Sequence, residues 1–428
     1  MANLHALLHH GLNIQPGEIR AVAAGFMLQF SLFASYFAMR PIRETMGIVG
    51  GVENLQWLFT ATFFATLAVS PLFGRLASRA KRKHIARWVY SFFAVNTVAF
   101  AGAIYLHGET LWLAWIFFVW LSVFNLIAIS LAWSILVDVF TPEQAKRLFA
   151  VMAAGASLGG LAGPLIGVLF VTVIGNAGLL LVATVLLLLT LFCAEYLQKT
   201  FAASAGTLPP GDNTALGGNP FDGAVHAFRT PLLFGIALFV TLLASVNTFL
   251  YFEQARFVAE HFTDRAAQTR FFSGVDTLVQ FLTLMLQLFV TGRIAAAFGI
   301  RALLLIVPIL MIGGFIMLSF SALLGVLVVV MVLRRVGEYA LIKPGREMLF
   351  TAVETTDKYK AKNFIDSVIY RGADAVSGWL KAASDLLLSP LMGGFAGAAM
   401  AFAWWLSAVW VLRLHRRQEK TPVYAGTR

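Results

Sequence analysis

Arginines and carboxylates crowd two stretches of an otherwise apolar chain. LRRVGEYALIKPGREM, from Leu333, carries Arg334, Arg335, Glu338, Lys343, Arg346 and Glu347. After a polar turn, NFIDSVIYRGADAVSGWLKAASD carries Asp366, Arg371, Asp374, Lys381 and Asp385. Guanidinium forks match the geometry of carboxylates and phosphates, so arginines in a low dielectric suit an anionic ligand. Carboxylates in the same setting can carry protons or exchange salt-bridge partners. Arg40 and Arg43 in YFAMRPIRETMG lie three residues apart and share one helical face. Glu253 and Arg256 repeat that spacing in TFLYFEQARFVAEHF.

The elements that must position these charges are membrane helices. The chain has 428 residues, 59% hydrophobic and 12% charged, with a mean hydropathy of +0.80. Soluble domains carry about 25% charged residues. The apolar runs are continuous rather than alternating, which argues against a β-barrel. Twelve helical spans fit, at roughly 20–45, 55–76, 85–106, 111–138, 147–173, 176–198, 231–255, 270–292, 301–320, 322–350, 363–386 and 391–413. The expected fold is an all-α polytopic membrane protein of two six-helix halves. Residues 1–199 and 229–428 form the halves, and the Pro/Gly/Ser-rich segment 200–228 reads as a flexible linker.

The net charge of +11 is explained by topology. Basic residues collect in the loops after spans 2, 4, 8 and 10, in the linker flanks and at the C-terminus, and are absent after spans 3, 5, 9 and 11. The positive-inside rule then makes both termini and the linker cytoplasmic. Arg256, Arg265 and Arg270 are the exception, balanced by Glu260 and Asp264. Cys193 is the lone cysteine, which excludes a disulfide framework within the chain. His5, His9 and His10 read as a solvated cap rather than a metal tract. No cofactor or metal is expected, and no signal peptide is evident.

The halves echo one another. Gly74-Arg75-Leu76-Ala77 recurs 218 residues later as Gly292-Arg293-Ile294-Ala295, and Ala145-Lys146 recurs 216 residues later as Ala361-Lys362. Such parallel repeats relate the halves of major facilitator transporters. PLFGRLASRAKRKH, from Pro71 to His84, resembles that superfamily's loop between spans 2 and 3, with Ser78 where an acidic residue is usual.

The in-span charges leave choices open. Arg40 and Arg43 either snorkel to the outer surface or face an anion, and Pro41 should kink their helix. Glu253 and Arg256 either pair within their helix or line a cavity mouth opposite Arg40 and Arg43. In span 10 the apolar run from Ala322 to Leu333 is too short to cross, which puts Arg334, Arg335 and Glu338 near mid-membrane. Lys343-Pro344-Gly345 should then interrupt the helix and leave unwound backbone. In span 11, Asp366, Tyr370 and Asp374 fall on one face. Arg371 and Lys381 are each in reach of Asp374, and Lys381 of Asp385.

Several motifs together resemble the ATP/ADP nucleotide translocases of plastids and intracellular bacteria. They are Met39-Arg40-Pro41-Ile42-Arg43-Glu44-Thr45, Gln144-Ala145-Lys146-Arg147-Leu148, Phe252-Glu253-Gln254-Ala255-Arg256, Tyr339–Met348 and Ala361–Asp366. The resemblance carries over Arg43, Glu253 and Arg346 as important charges. The chain departs from that family at Lys343, where the family has Asp, and in span 4, which offers Asn125 in place of Glu.

The expected function is secondary active transport of an organic anion, with phosphorylated and nucleotide-like solutes among the candidates. Arg40, Arg43, Arg256, Arg335 and Arg346 would hold the anion. Glu253, Glu338, Glu347, Asp366, Arg371 and Asp374 would couple or gate, with a proton or counter-substrate as the coupled species. The alternative is a non-transporting receptor or assembly partner that keeps the fold. No Ser/His/Asp arrangement, HExxH or cysteine pair suggests an enzyme, and a nucleic-acid partner is not expected. The expected location is the inner (cytoplasmic) membrane of a bacterium.

Overall fold

A computed structural model describes residues 14–79, 82–201, 228, 230–321, 323–352, 361–387 and 390–420. The three N-terminal histidines, nearly all of the linker, and Lys358 and Lys360 lie outside the described residues, as do the side chains of 73–84, which include Gly74 and Ser78. Among the described residues no strand occurs. Helices suit lipid because each satisfies its own backbone hydrogen bonds.

Four helices open the chain: α1 (Ile19–Val49), α2 (Leu55–Arg79), α3 (Arg82–His107) and α4 (Leu111–Val139). The helical run Pro142–Thr200 breaks at Gly175, whose φ of 67° is accessible without strain because glycine has no Cβ. It becomes α5 (142–174) and α6 (176–200). After α7 (Pro231–His261), the run Arg265–Phe320 breaks in the same way at Gly299, φ 66°. It becomes α8 (265–298) and α9 (300–320). The last helices are α10 (324–349), α11 (361–387) and α12 (Pro390–Lys420). Eight of these runs are long and apolar enough to cross a membrane, the double-length runs Pro142–Thr200 and Arg265–Phe320 counting once each. The helices α10 and α11 fall outside that set because of the charges described above.

The chain divides into two units. Unit 1 is Met1–Gly51, Ala68–Gly218 and Phe262–Thr277, and unit 2 is Val52–Leu67, Asn219–His261 and Leu278–Arg428. The first part of α2 therefore packs with C-terminal helices, and the first part of α8 with N-terminal helices. Packing thus places two segments, 52–67 and 262–277, in the unit opposite to that of their chain neighbours.

Unit 1 is built on close approach of α1 and α5. Gly155, Gly159 and Gly163 repeat every four residues in AAGASLGGLAGP and so lie on one face. A Cβ at Gly159 would stand 2.2 Å from the Phe30 carbonyl oxygen, and one at Gly163 2.4 Å from that of Ala34. Small residues let membrane helices meet backbone to backbone, where dispersion replaces the missing hydrophobic drive. On the other side of α1, Ser31 and Thr190 hydroxyls lie 2.9 Å apart, and Ser35 donates to the Ala183 carbonyl at 2.9 Å.

Unit 2 carries three π-helical segments: Gln287–Thr291 in α8, Glu338–Ile342 in α10 and Ile365–Ile369 in α11. The expected unwinding at Lys343-Pro344-Gly345 does not occur. Lys343–Leu349 is helical, with Pro344 in its first turn, and the wider π turn before it absorbs the proline. Pro344 has no N–H to give to the Ala340 or Tyr339 carbonyl. Both carbonyls are served from α8: the Thr291 hydroxyl donates to Ala340 at 2.9 Å, and the Gln287 amide to Tyr339 at 3.1 Å. Side chains of one π segment thus satisfy the backbone of another.

Gly159→Ala should lower stability by about 1–3 kcal/mol through overpacking. Gly313→Ala, whose Cβ would meet nothing within 4 Å, should be neutral or gain a few tenths from helix propensity. Thermal unfolding in detergent compares them. Thr291→Val should cost about 1–3 kcal/mol by orphaning a carbonyl. It should cost less in a Pro344→Ala background, where a restored N–H can take over; a double-mutant cycle reads the difference.

Candidate functional site

The charges of unit 2 are organised by a seam between α7 and α11. The two helices run parallel, and their polar residues meet in register. The Ser377 hydroxyl donates to that of Ser245 at 2.7 Å, and the Thr248 hydroxyl donates to the Asp374 carboxylate at 3.1 Å. Further along, the Lys381 ammonium meets Glu253 at 2.6 Å and also contacts Asp385. Arg256 donates to Asp385 at 2.5 Å. Lys381 is only 1% exposed, with its ammonium 5.8 Å from the Phe249 ring centroid. Two cations and two carboxylates thus form a closed neutral quartet. Such pairing is what makes charge tolerable where desolvation is expensive.

This settles several of the pairings left open by spacing. Glu253 and Arg256 do approach within their helix, at 4.0 Å, but each has a shorter contact to α11. Lys381 pairs with Glu253 and Asp385, not with Asp374. Asp374 is 3% exposed and faces Thr248 and, at 3.7 Å, Arg371.

In α10 the arginines are buried as span length requires: Arg334 and Arg335 are each 5% exposed. Arg334 takes Glu338 at 2.9 Å, one helical turn on. Both lie in electrostatic range of Asp374, so Arg334, Glu338, Arg371 and Asp374 make a second group on α10 and α11. A third group sits at the end of α10 and the start of α11. Arg346 meets Asp366 at 2.9 Å and Lys362 meets Glu347 at 2.6 Å. Lys343 is exposed and lies 4.5 Å from the Tyr339 ring centroid. Asp366 and Asp374 serve different groups, Asp366 with Arg346 and Asp374 with Thr248 and Arg371.

In unit 1, Arg40 and Arg43 sit near the end of α1, 17% and 15% exposed. Pro41 between them leaves the helix continuous. Arg43 holds Glu44 at 2.8 Å and lies 4.9 Å from the Phe118 ring. Arg40 stands 3.8 Å from Glu44 and 3.9 Å from Asp276 of α8. Elsewhere in the unit, Arg147 and Gln144 of the Gln144–Leu148 motif reach Glu18 at 2.7 and 3.0 Å. That carboxyl is raised by burial but held below the usual range by these donors and the Gln15 N–H. Asn125 is half-buried in α4.

Spacing alone does not single out Glu44, Asp276, Lys381 or Asp385 as site residues. A signal for Asp276 exists: it is a lone carboxylate in the apolar run FFSGVDTLVQFLT. Its partner lies more than two hundred residues away, beyond any periodicity.

A family model matches residues 21–342, three quarters of the chain, and is described as Major Facilitator Superfamily. The chain belongs to the major facilitator superfamily. Solved structures of transporters share the fold at low identity. A bacterial homologue of the iron transporter ferroportin, inward-facing, is 14% identical with a TM-score of 0.67, and the match covers 94% of this chain and all of that one. A bacterial homologue of the human lysosomal transporter Spinster is 17% identical (TM-score 0.63, 96% and 100% covered), and the nucleoside transporter NupG 13% identical (0.58, 96% and 100%). No curated protein sequence matches. Membership in the superfamily makes the chain a membrane-embedded secondary transporter.

Lys381→Met should destabilise unit 2 by about 3 kcal/mol, because Glu253 and Asp385 would be left sharing one cation. Adding Glu253→Gln should return part of that loss. A lower unfolding temperature for the single than for the double variant, measured in detergent, is the expected order.

Proposed function

We propose that this major facilitator transporter carries an organic anion, phosphorylated or nucleotide-like, by alternating access of its two six-helix halves. Arg40 and Arg43 carry the reading. They lie one turn apart, largely buried, on one face of a membrane helix whose neighbouring charges are carboxylates. Two guanidinium groups at that spacing can grip a carboxylate or phosphate through paired hydrogen bonds. Arg335 in the buried part of α10 and Arg346 near its end extend the cationic lining in unit 2. Arg256 belongs to the same set of candidate anion contacts and is held by Asp385 in this structure.

Glu338, Asp374, Glu253, Asp366, Arg371 and Glu347 serve coupling or gating, because each takes part in an ion pair or hydrogen bond that another ion can exchange. The seam between α7 and α11 supports this, since five of its members are ionisable. The resemblance to nucleotide translocases through Arg43, Glu253 and Arg346 favours a phosphorylated solute and exchange over net uptake. Both termini face the cytoplasm of a bacterial inner membrane, as the distribution of basic loops favours.

Purified protein in proteoliposomes should exchange at least one solute among ATP, ADP, inorganic phosphate and hexose phosphates. Arg40→Gln and Arg335→Gln should each lower that rate roughly tenfold or more, the loss of one charge-assisted contact. Transport of neutral solutes alone would overturn the anion reading, and normal exchange by Arg335→Gln would remove that residue from the site.

A further inference from the structure

Gln29 of α1 takes no part in any of the groups above. It is 0% exposed, and neither its amide nitrogen nor its amide oxygen has a hydrogen-bond partner. The nearby hydroxyls of the same helix are satisfied: Ser31 donates to the Met27 carbonyl at 2.7 Å and Ser35 to that of Ala183 at 2.9 Å. Buried polar groups are nearly always paired, because burial without a partner forfeits the bonds made to water. Packing does not account for an amide open at both ends, since an apolar side chain of the same shape would fill the position without that cost.

The surroundings of Gln29 suit a ligand. Residues 29, 33, 36 and 40 recur at helical spacing and share one face of α1. One turn before Gln29 the helix is closed over: a Cβ on Gly25 would stand 3.2 Å from Leu136 of α4 and from Met152 of α5. Beyond Gln29 the face opens, with Phe33, Tyr36 and Arg40 partly exposed. Phe33 stacks on Phe37 at 6.4 Å, and Tyr36 on Phe124 of α4 at 6.4 Å. No charged residue interrupts the helix between Gln29 and Arg40. The face thus runs from an amide, past two partly exposed rings, to a guanidinium. A rise of 1.5 Å per residue puts its two ends about 16 Å apart. That span exceeds inorganic phosphate or a hexose phosphate and suits an extended nucleoside diphosphate or triphosphate.

We propose that Gln29 is a specificity-determining residue that reads the base of a nucleotide whose phosphates lie at the Arg40 end of this face. The amide offers one donor and one acceptor, which match a base edge with the same two groups side by side, as on adenine. The rings of Phe33 and Tyr36 offer faces for the base. A change of side-chain rotamer carries the amide to the open part of the face, and it breaks no hydrogen bond because the amide makes none. For the same reason the bonds to a base are not set against bonds already made, so they discriminate between solutes. The inference rests on the anion reading above and narrows it to nucleotides.

The test uses full-length protein in proteoliposomes with ATP, ADP, inorganic phosphate and hexose phosphates. If wild type exchanges none of them, the anion reading fails and this inference falls with it. If it exchanges inorganic phosphate or a hexose phosphate but neither nucleotide, the anion reading stands and this inference is overturned. If it exchanges a nucleotide, Gln29→Met, which keeps the volume and removes the amide, should raise the KM for that nucleotide about tenfold. The same variant should unfold a few degrees higher in detergent, because an unpaired buried amide is gone. An unchanged KM, or a raised KM with a lowered unfolding temperature, would show a merely structural residue. Adenosine isolates the base from the charge. It should inhibit exchange by wild type, and inhibit Gln29→Met at least several-fold less. Equal inhibition of the two proteins, or inhibition of neither, would refute base reading by Gln29.

Discussion

A charge inside a membrane protein must be paired, and most of the polar architecture of this chain follows from that constraint. Lys381 shows it at its strictest. A fully buried ammonium is tolerable because Glu253 and Asp385 both reach it, and Arg256 in turn balances Asp385. Removing any one member exposes the others to an uncompensated desolvation cost. The same rule holds Arg334 to Glu338 and Arg346 to Asp366. These groups lie at successive levels along α10 and α11, so the two helices carry several separate pairs.

The backbone obeys a parallel constraint. A carbonyl that loses its helical donor in lipid must find another. Pro344 creates that need, a π turn in α10 accommodates it, and Gln287 and Thr291 from a π turn in α8 meet it. Unit 1 takes a different route at α1 and α5, where glycines bring the two backbones into direct contact. One unit is therefore joined by close-packed backbone and the other by side-chain hydrogen bonds to irregular backbone. Wider turns of this kind recur at functional sites in helices.

Much of the architecture is legible in the amino-acid order. Continuous apolar runs require membrane helices, and the family match shows a major facilitator protein. Burial of Arg334, Arg335 and Glu338 follows from span length, since the apolar run preceding them is too short to cross alone. The pairing of Arg334 with Glu338 is one of two choices left by helical spacing. Local sequence does not choose Arg256's partner, because its i,i+3 neighbour Glu253 and the distant Asp385 compete and only packing brings Asp385 closer. It also misleads at Pro344, because the donors that rescue the affected carbonyls sit about fifty residues upstream.

The sequence by itself determined the class of solvent, the helical fold and which residues carry charge into the membrane. These depend on composition and on a period of 3.6 residues, both of which are local. Only the tertiary structure decided who pairs with whom. It placed Asp276 beside Arg40, joined α7 to α11 through Lys381, and exchanged the first parts of α2 and α8 between the units. Ion pairing falls off within a few ångströms, and contacts at that range between distant segments are set by packing, which no local pattern encodes.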